Sequence, residues 1–288
     1  MSQHASAPDL PVIFAASCLG APDRRCDAGP RRLAEMLANS ALPGLRCLPV
    51  IEPESEDGLG VLAAFLAGLA DSVAAHLQQR MLVISGDHSC AIGTWQGAAR
   101  QIDPMGLIWI DAHMDAHTPE SSPRGHWHGM PVACLLGRGD PSLVRAGAAI
   151  RPENLCLLGV RSYEAPEAKL LQELGVRVMS INEVRRMGFA AAMAEARAIA
   201  AQGTAGYGLS LDLDGLDPVD APAVGSPVVG GITATEFMQS LALLYQDPDF
   251  RVLEVAEFNP VHDIEQRTLS LLMQMVTLMS GGDDESQY

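Results

Sequence analysis

Short apolar runs alternate with helical patterns along almost the whole chain, which predicts an α/β fold: a mainly parallel sheet covered by helices on both faces. Two further observations agree. The chain has 288 residues, 48% of them hydrophobic, so a large core can be buried. Its most chemically unusual residues sit just past apolar runs, and in open α/β sheets binding sites form beyond the carboxyl ends of strands.

Val12–Ala16 opens the series. No basic segment precedes it, so it reads as the first strand and not as a secretion signal. Arg31–Asn39 has helical spacing. Leu59–Gln79 is a long apolar helix, but Asp71 and polar flanks set it apart from the ~20 uninterrupted apolar residues of a membrane span. Strand Met81–Ser85 and helix Ala91–Ile102 follow. Strands Leu107–Ile110 and Asn154–Gly159 flank the polar, glycine-containing loop Pro119–Pro131, the kind of segment that covers binding sites. Helix Glu167–Leu174, strand Arg177–Ser180 and one long helix, Ile181–Ala201, come next. Strand Tyr207–Leu213, helix Thr235–Tyr245, strand Arg251–Phe258 and helix Ile264–Ser280 complete the alternation. With no repeat and no linker, residues 1–288 read as one domain with an acidic tail, 281–288, expected to fray.

The net charge of −16 argues against nucleic acid or an anionic membrane as partner and favours a small cationic substrate. The six cysteines (Cys18, Cys26, Cys47, Cys90, Cys134, Cys156) show no C-x-x-C spacing. Scattered thiols fit a reduced, cytoplasmic protein better than a disulfide framework or zinc ribbon.

Two acidic clusters dominate. Asp111-Ala-His113-Met-Asp115 follows Gly106–Ile110, and Asp212-Leu-Asp214 follows Tyr207–Leu211. In extended chain, residues two apart share a side, so Asp111, His113 and Asp115 converge, as do Asp212 and Asp214. Four carboxylates at close quarters repel unless cations lie among them. Carboxylate with imidazole suits manganese, nickel, iron or zinc, which points to a binuclear metallohydrolase.

Five of the 8 histidines lie between residues 88 and 128. His88, in Gly86-Asp87-His88-Ser89, and His113 are placed as metal ligands. His117 and His126 read equally well as site residues or solvated loop residues. His128 lies further along the loop and suits acid–base work, since imidazole titrates near neutrality. Glu257, at the end of its strand, adds a further acid. Arg124 and Arg161 are the cationic exceptions, and Asp217 before Pro218 reads as a turn residue. Two metals roughly 3.5–4 Å apart acidify a shared water. A site this rich in carboxylates, with few groups to clamp a phosphate, prefers a cationic electrophile.

Taken together, these motifs with Gly125-His-Trp-His128-Gly129, Leu211-Asp-Leu-Asp214-Gly-Leu-Asp-Pro218, Gly230-Gly-Ile and Glu257-Phe-Asn-Pro260 resemble the ureohydrolase family: arginases, agmatinases and related guanidino or formimino hydrolases. The resemblance runs in family order over roughly residues 24–275. It implies a three-layer α/β/α fold and two manganese ions per chain, with nickel or cobalt as possible substitutes. By resemblance, His88, Asp111, Asp115 and Asp212 hold one metal. His113, Asp111, Asp212 and Asp214 hold the second, with Asp111 and Asp212 bridging.

A metal-bridging hydroxide is then expected to attack the guanidinium carbon and release urea. Asp115 hydrogen-bonds that hydroxide and helps pass its proton to the leaving amine. His128 matches the acid–base histidine, Glu257 the acid that pairs with the guanidinium, and Ser226 a residue lining the same pocket. His117, Arg124 and His126 fall where neutral side chains of animal-type arginases grip the substrate carboxylate, and Glu164 where an aspartate holds the α-amino group. L-Arginine is the first substrate expected. Guanidinobutyrate, guanidinopropionate, agmatine and formiminoglutamate are alternatives. A non-catalytic subunit is another, but no metal ligand is missing; a one-zinc deacetylase of related architecture would not need the second-metal set. The resemblance also implies a homotrimer or homohexamer.

Overall fold

The computed structural model describes residues 9–40, 42–144 and 147–282. Eight strands form one parallel sheet: β1 (Leu10–Ala15), β2 (Leu45–Cys47), β3 (Met81–Ser85), β4 (Met105–Ile110), β5 (Leu155–Val160), β6 (Arg177–Ser180), β7 (Gly206–Asp212) and β8 (Phe250–Ala256). Their order is β2-β1-β3-β8-β7-β4-β5-β6. The helices are α1 (Ala28–Ala38), α2 (Leu59–His76), α3 (Cys90–Ala99), α4 (Pro131–Leu135), α5 (Pro141–Val144), α6 (Ala165–Leu174), α7 (Ile181–Met187), α8 (Phe189–Ala201), α9 (Ala234–Tyr245) and α10 (Arg267–Met279).

Strands of a parallel sheet are buried on both faces, and these are apolar at nearly every position for that reason. Alternate residues feed two separate cores. Val12, Phe14, Ile108 and Ile110 pack with α1, α7, α8, α9 and α10. Ile13, Val83, Leu107 and Trp109 pack with α2, α3, α4, α5 and α6. The result is the three-layer α/β/α arrangement.

Several elements depart from the sequence reading. Strand β2 was not anticipated, because three partly exposed residues at a sheet edge carry no periodicity. The expected single helix Ile181–Ala201 is two, α7 and α8, broken at Gly188 with φ 84°, a left-handed value that interrupts a helix at little cost only in glycine. The short helices α4 and α5, each opened by a proline, lie where only loop was expected. Helix α2 is long and apolar enough to resemble a span, and its residues Leu62, Phe65, Leu66, Leu69, Ala70 and Val73 are buried in the core instead. Of the tail, residues 283–288 lie outside the described residues.

The register decides where the site forms. Ile84 pairs with Val255, Val255 with Leu211, and Leu211 with Ile110. Four adjacent central strands therefore end level, and the residues that follow each of them leave the sheet on one rim.

Candidate active site

That rim gathers the acids and histidines. His88 lies in the turn between β3 and α3, Asp111, His113 and Asp115 follow β4, Asp212 ends β7, and Glu257 follows β8. Asp214 lies in the 3-10 turn Leu213–Gly215, where its amide donates to Asp212 Oδ1 at 2.8 Å. Asp115 and Glu257 have φ of 49° and 70°. Non-glycine residues held there store on the order of 1–3 kcal/mol and cluster at functional sites.

His88 Nδ1 faces three carboxylate oxygens: Asp115 Oδ2 at 3.1 Å, Asp212 Oδ2 at 3.2 Å and Asp111 Oδ2 at 3.3 Å. His113 Nδ1 faces Asp214 Oδ2 at 3.1 Å and Asp111 Oδ1 at 3.4 Å. Two ligand groups result, His88–Asp111–Asp115–Asp212 and Asp111–His113–Asp214, sharing Asp111. Asp212 joins the first group only. All four aspartates and His88 are buried, and among the described residues the fully enclosed His88 Nδ1 has no well-formed hydrogen bond. A buried ring nitrogen aimed into three carboxylates, with a second such group sharing an acid, fits a pair of divalent cations.

The electrostatics agree. Burial and the neighbouring charges push the Asp115 carboxyl up to about 7 and that of Asp214 up to about 6, and raise Asp212 well above its usual range. Burial alone also disfavours the charged form of Asp111, but the adjacent His113 and His88 imidazoles override it and depress its pKa. For His113 burial acts downward, yet Asp111 and Asp214 carry it to about 12. His88 is raised likewise by Asp111, Asp115 and Asp212. Without cations the cluster compensates its charge with protons.

The remaining residues singled out by sequence line a cavity of about 280 Å³ above this floor: His117, Arg124, His126, His128, Glu164, Ser226 and Glu257, along with Asp115. Glu257 Oε1 accepts from the His88 amide at 3.0 Å and lies 3.3 Å from His128 Nδ1. Burial lowers the His128 pKa, but Glu257 and Asp115 reverse this and carry it to about 9. His117 is buried, between Ser121 Oγ at 3.0 Å and Glu164 Oε2 at 3.1 Å, so the solvated-loop reading does not hold for it. His126 is half-buried, while Arg124, Glu164 and Ser226 are exposed at the mouth. A third group, His117–Glu164–Glu167, has local work: Glu167 accepts the Ala116 and Glu164 amides and completes the capping box of α6. Asp217 organises a turn by accepting the amides of Val219, Gly230 and Gly231.

Other contributors were not singled out from sequence. Trp109 stacks on His88, with ring centroids 4.1 Å apart, and donates from Nε1 to Asp111 Oδ2 at 3.0 Å. Arg161, named from sequence with Arg124 as a cation of the site loops, does not line this cavity; its guanidinium donates to the carbonyls of Gly159, Asp214, Gly215, Leu216 and Val228, tying the β5, β7 and Ser226 loops together. Polar residues inside otherwise apolar strands were the available signal, and Ser210 and Glu254 carry it most clearly.

Crystal structures of the arginases from Bacillus subtilis and Bacillus caldovelox share this fold, with TM-scores of 0.88 and 0.87 and 36% identity over 96% of this chain and 99% and 100% of theirs. An arginase-like amidinohydrolase is the class that this fold and rim define. In sequence the chain is 37% identical to the arginase of Bacillus subtilis strain 168 over 289 residues, 94% of this chain and 97% of that protein. It is 42% identical to the Bacillus caldovelox arginase over 203 residues, 69% and 68% of the two. The Arginase family model matches residues 17–281, and the chain belongs to the arginase family.

Proposed function

We propose that this chain is a manganese-dependent arginase that hydrolyses L-arginine to L-ornithine and urea, in the cytoplasm and as a homotrimer or homohexamer. The observation that carries the reading is Glu257. Its Oε1 is engaged by His88 and His128, while among the described residues Oε2 receives no hydrogen bond and the side chain lines the cavity beside both ligand groups. A carboxylate there suits a guanidinium, with which it makes charge-assisted hydrogen bonds.

His88, Asp111, Asp115 and Asp212 would hold one divalent cation, and Asp111, His113 and Asp214 the other; of the two aspartates expected to be shared, Asp111 alone joins both groups. Bound cations supply a water acidified to a nucleophile at neutral pH. An oxygen and nitrogen donor set without cysteine suits manganese and admits nickel or cobalt. Glu257 holds the guanidinium so that its planar carbon faces the carboxylate floor. Asp115 takes the nucleophile's remaining proton and returns it to the departing nitrogen. His128, held by Glu257, exchanges protons between site and solvent. Water and guanidinium thus become urea and a protonated amine.

Arg124 and His126 would meet the substrate carboxylate and Glu164 its ammonium group, a reading supported by all three lining the cavity. One observation favours a second reading, a guanidino acid with no α-amino group: Glu164 already engages His117. Urea release from manganese-loaded protein over L-arginine, guanidinobutyrate, guanidinopropionate and agmatine, with loss of formiminoglutamate followed separately, decides between them. Preference for arginine supports the arginase; preference for guanidinobutyrate or guanidinopropionate replaces it with the second reading. No turnover with manganese, nickel or cobalt refutes both.

A further inference from the structure

Below the cavity floor lies an acid that the reaction does not use. Glu254 stands inside β8, fully buried, and the partners of its carboxylate are hydroxyls. Oε1 accepts from Thr94 Oγ1 at 2.8 Å and Ser85 Oγ at 2.9 Å. Oε2 accepts from Ser210 Oγ at 2.9 Å, and Ser210 Oγ is also 3.0 Å from His88 Nε2. These contacts come from β3, α3, β7 and β8, the elements that also deliver His88, Asp212 and Glu257.

The direction of this chain of hydrogen bonds follows from counting hydrogens. A carboxylate only accepts, and a serine hydroxyl has a single hydrogen to give. Ser210 gives its hydrogen to Glu254, so toward His88 it can only accept. Nε2 of His88 must then be the nitrogen that carries hydrogen, and in the neutral ring Nδ1 is left as a lone pair. Nδ1 is the atom aimed at Asp111, Asp115 and Asp212. We propose that Glu254, acting through Ser210, is a positioning residue that fixes His88 in the one tautomer able to offer Nδ1 to a divalent cation. The proposal rests on reading the cluster as a metal centre. Trp109, stacked on the same ring, sets its plane, while the Ser210–Glu254 pair sets which nitrogen faces the site.

The test uses full-length protein stripped by chelation and titrated with manganese, as wild type, Ser210→Ala, Glu254→Met and the double variant. Methionine keeps the length of the side chain and removes the acceptor. The change leaves the Ser85, Thr94 and Ser210 hydroxyls without their acceptor and lowers stability, so a merely structural Glu254 would show in the melting temperature and leave manganese affinity unmoved. Each single variant is expected to weaken binding of one manganese ion by about 10–100-fold, the usual effect of losing the partner behind a ligating histidine. Since Glu254 acts through Ser210, the double variant should bind within about twofold of Ser210→Ala.

A readout independent of affinity is the imidazole spectrum of the zinc-loaded protein with ¹⁵N-labelled histidine. His88 should show a slowly exchanging Nε2–H in wild type and lose that protection in Ser210→Ala. Unchanged affinity with a protected Nε2–H in Ser210→Ala overturns the proposal, and so does a further loss in the double variant. If Glu254→Met does not fold, Ser210→Ala with its spectrum decides alone. A wild type that binds no manganese refutes the metal-centre reading itself; one that binds normally beside indifferent variants refutes only the relay.

Discussion

Asp115 and Glu257 hold their carboxylates on left-handed backbone, and each does two things at once. Asp115 faces His88 and lines the cavity; Glu257 braces His88 and His128 through one oxygen, and its other receives no hydrogen bond among the described residues. Floor and wall should therefore separate under mutation. Asp212→Ala should abolish turnover and lower metal content, whereas His128→Asn should cut turnover by about 10²–10⁴-fold with both metals retained. Metal loss in the His128 variant, seen by elemental analysis, contradicts its acid–base role. Arg124→Ala should raise KM for a carboxylate-bearing substrate with little change in kcat; an unaltered KM places that arginine in solvent. At this scale the ligands were legible because two-residue spacing on a strand end fixes direction. Trp109, Ser210 and Glu254 were not, because a polar residue in a buried strand does not say which neighbouring strand answers it.

Among the elements, close approach of β4 to α8 is the tightest fit. A Cβ on Gly106 would lie 1.8 Å from the carbonyl oxygen of Ala200, and backbone cannot swing aside as a side chain can. Gly106→Ala should cost about 1–3 kcal/mol through forced separation of helix and sheet. At roughly 2–4 °C per kcal/mol for a chain of this order, that lowers the melting temperature by several degrees. Since Gly106 lies at the end of β4 away from the rim, kcat/KM should hold; intact stability would show that α8 yields freely. The alternation of strands and helices was readable because parallel strands are apolar on both faces. The break at Gly188 and the edge strand β2 were missed: one depends on a dihedral angle, the other on three residues with no face to bury.

For the whole molecule, protons and metals compete for one cluster. In the metal-free fold Asp115 titrates near 7 and Asp214 near 6, above their unfolded value, and His113 near 12, also above its own. The folded state therefore holds more protons than the unfolded chain across the neutral range. By linkage, metal-free stability falls as pH rises from about 4 upward, first through these carboxylates and then through the histidines. The depressed Asp111 acts oppositely, its contribution being lost only as pH drops through its own low value. Cations replace those protons, so the rise in melting temperature on adding manganese should grow between about pH 5 and pH 8. Melts with and without chelator at several pH values measure it, and an increment independent of pH would count against the cluster as the binding site.

Ser122, Pro123, Arg124 and His126, which line the mouth, belong to a single contiguous segment, whereas the floor is assembled from four strand ends far apart in the chain. A cassette exchanged between Pro119 and Pro131, leaving His128 in place, would rewrite what the mouth accepts and leave the catalytic floor intact. The carboxylate-facing side of the mouth is a replaceable part, while Glu164 and Ser226 stay with the fixed one.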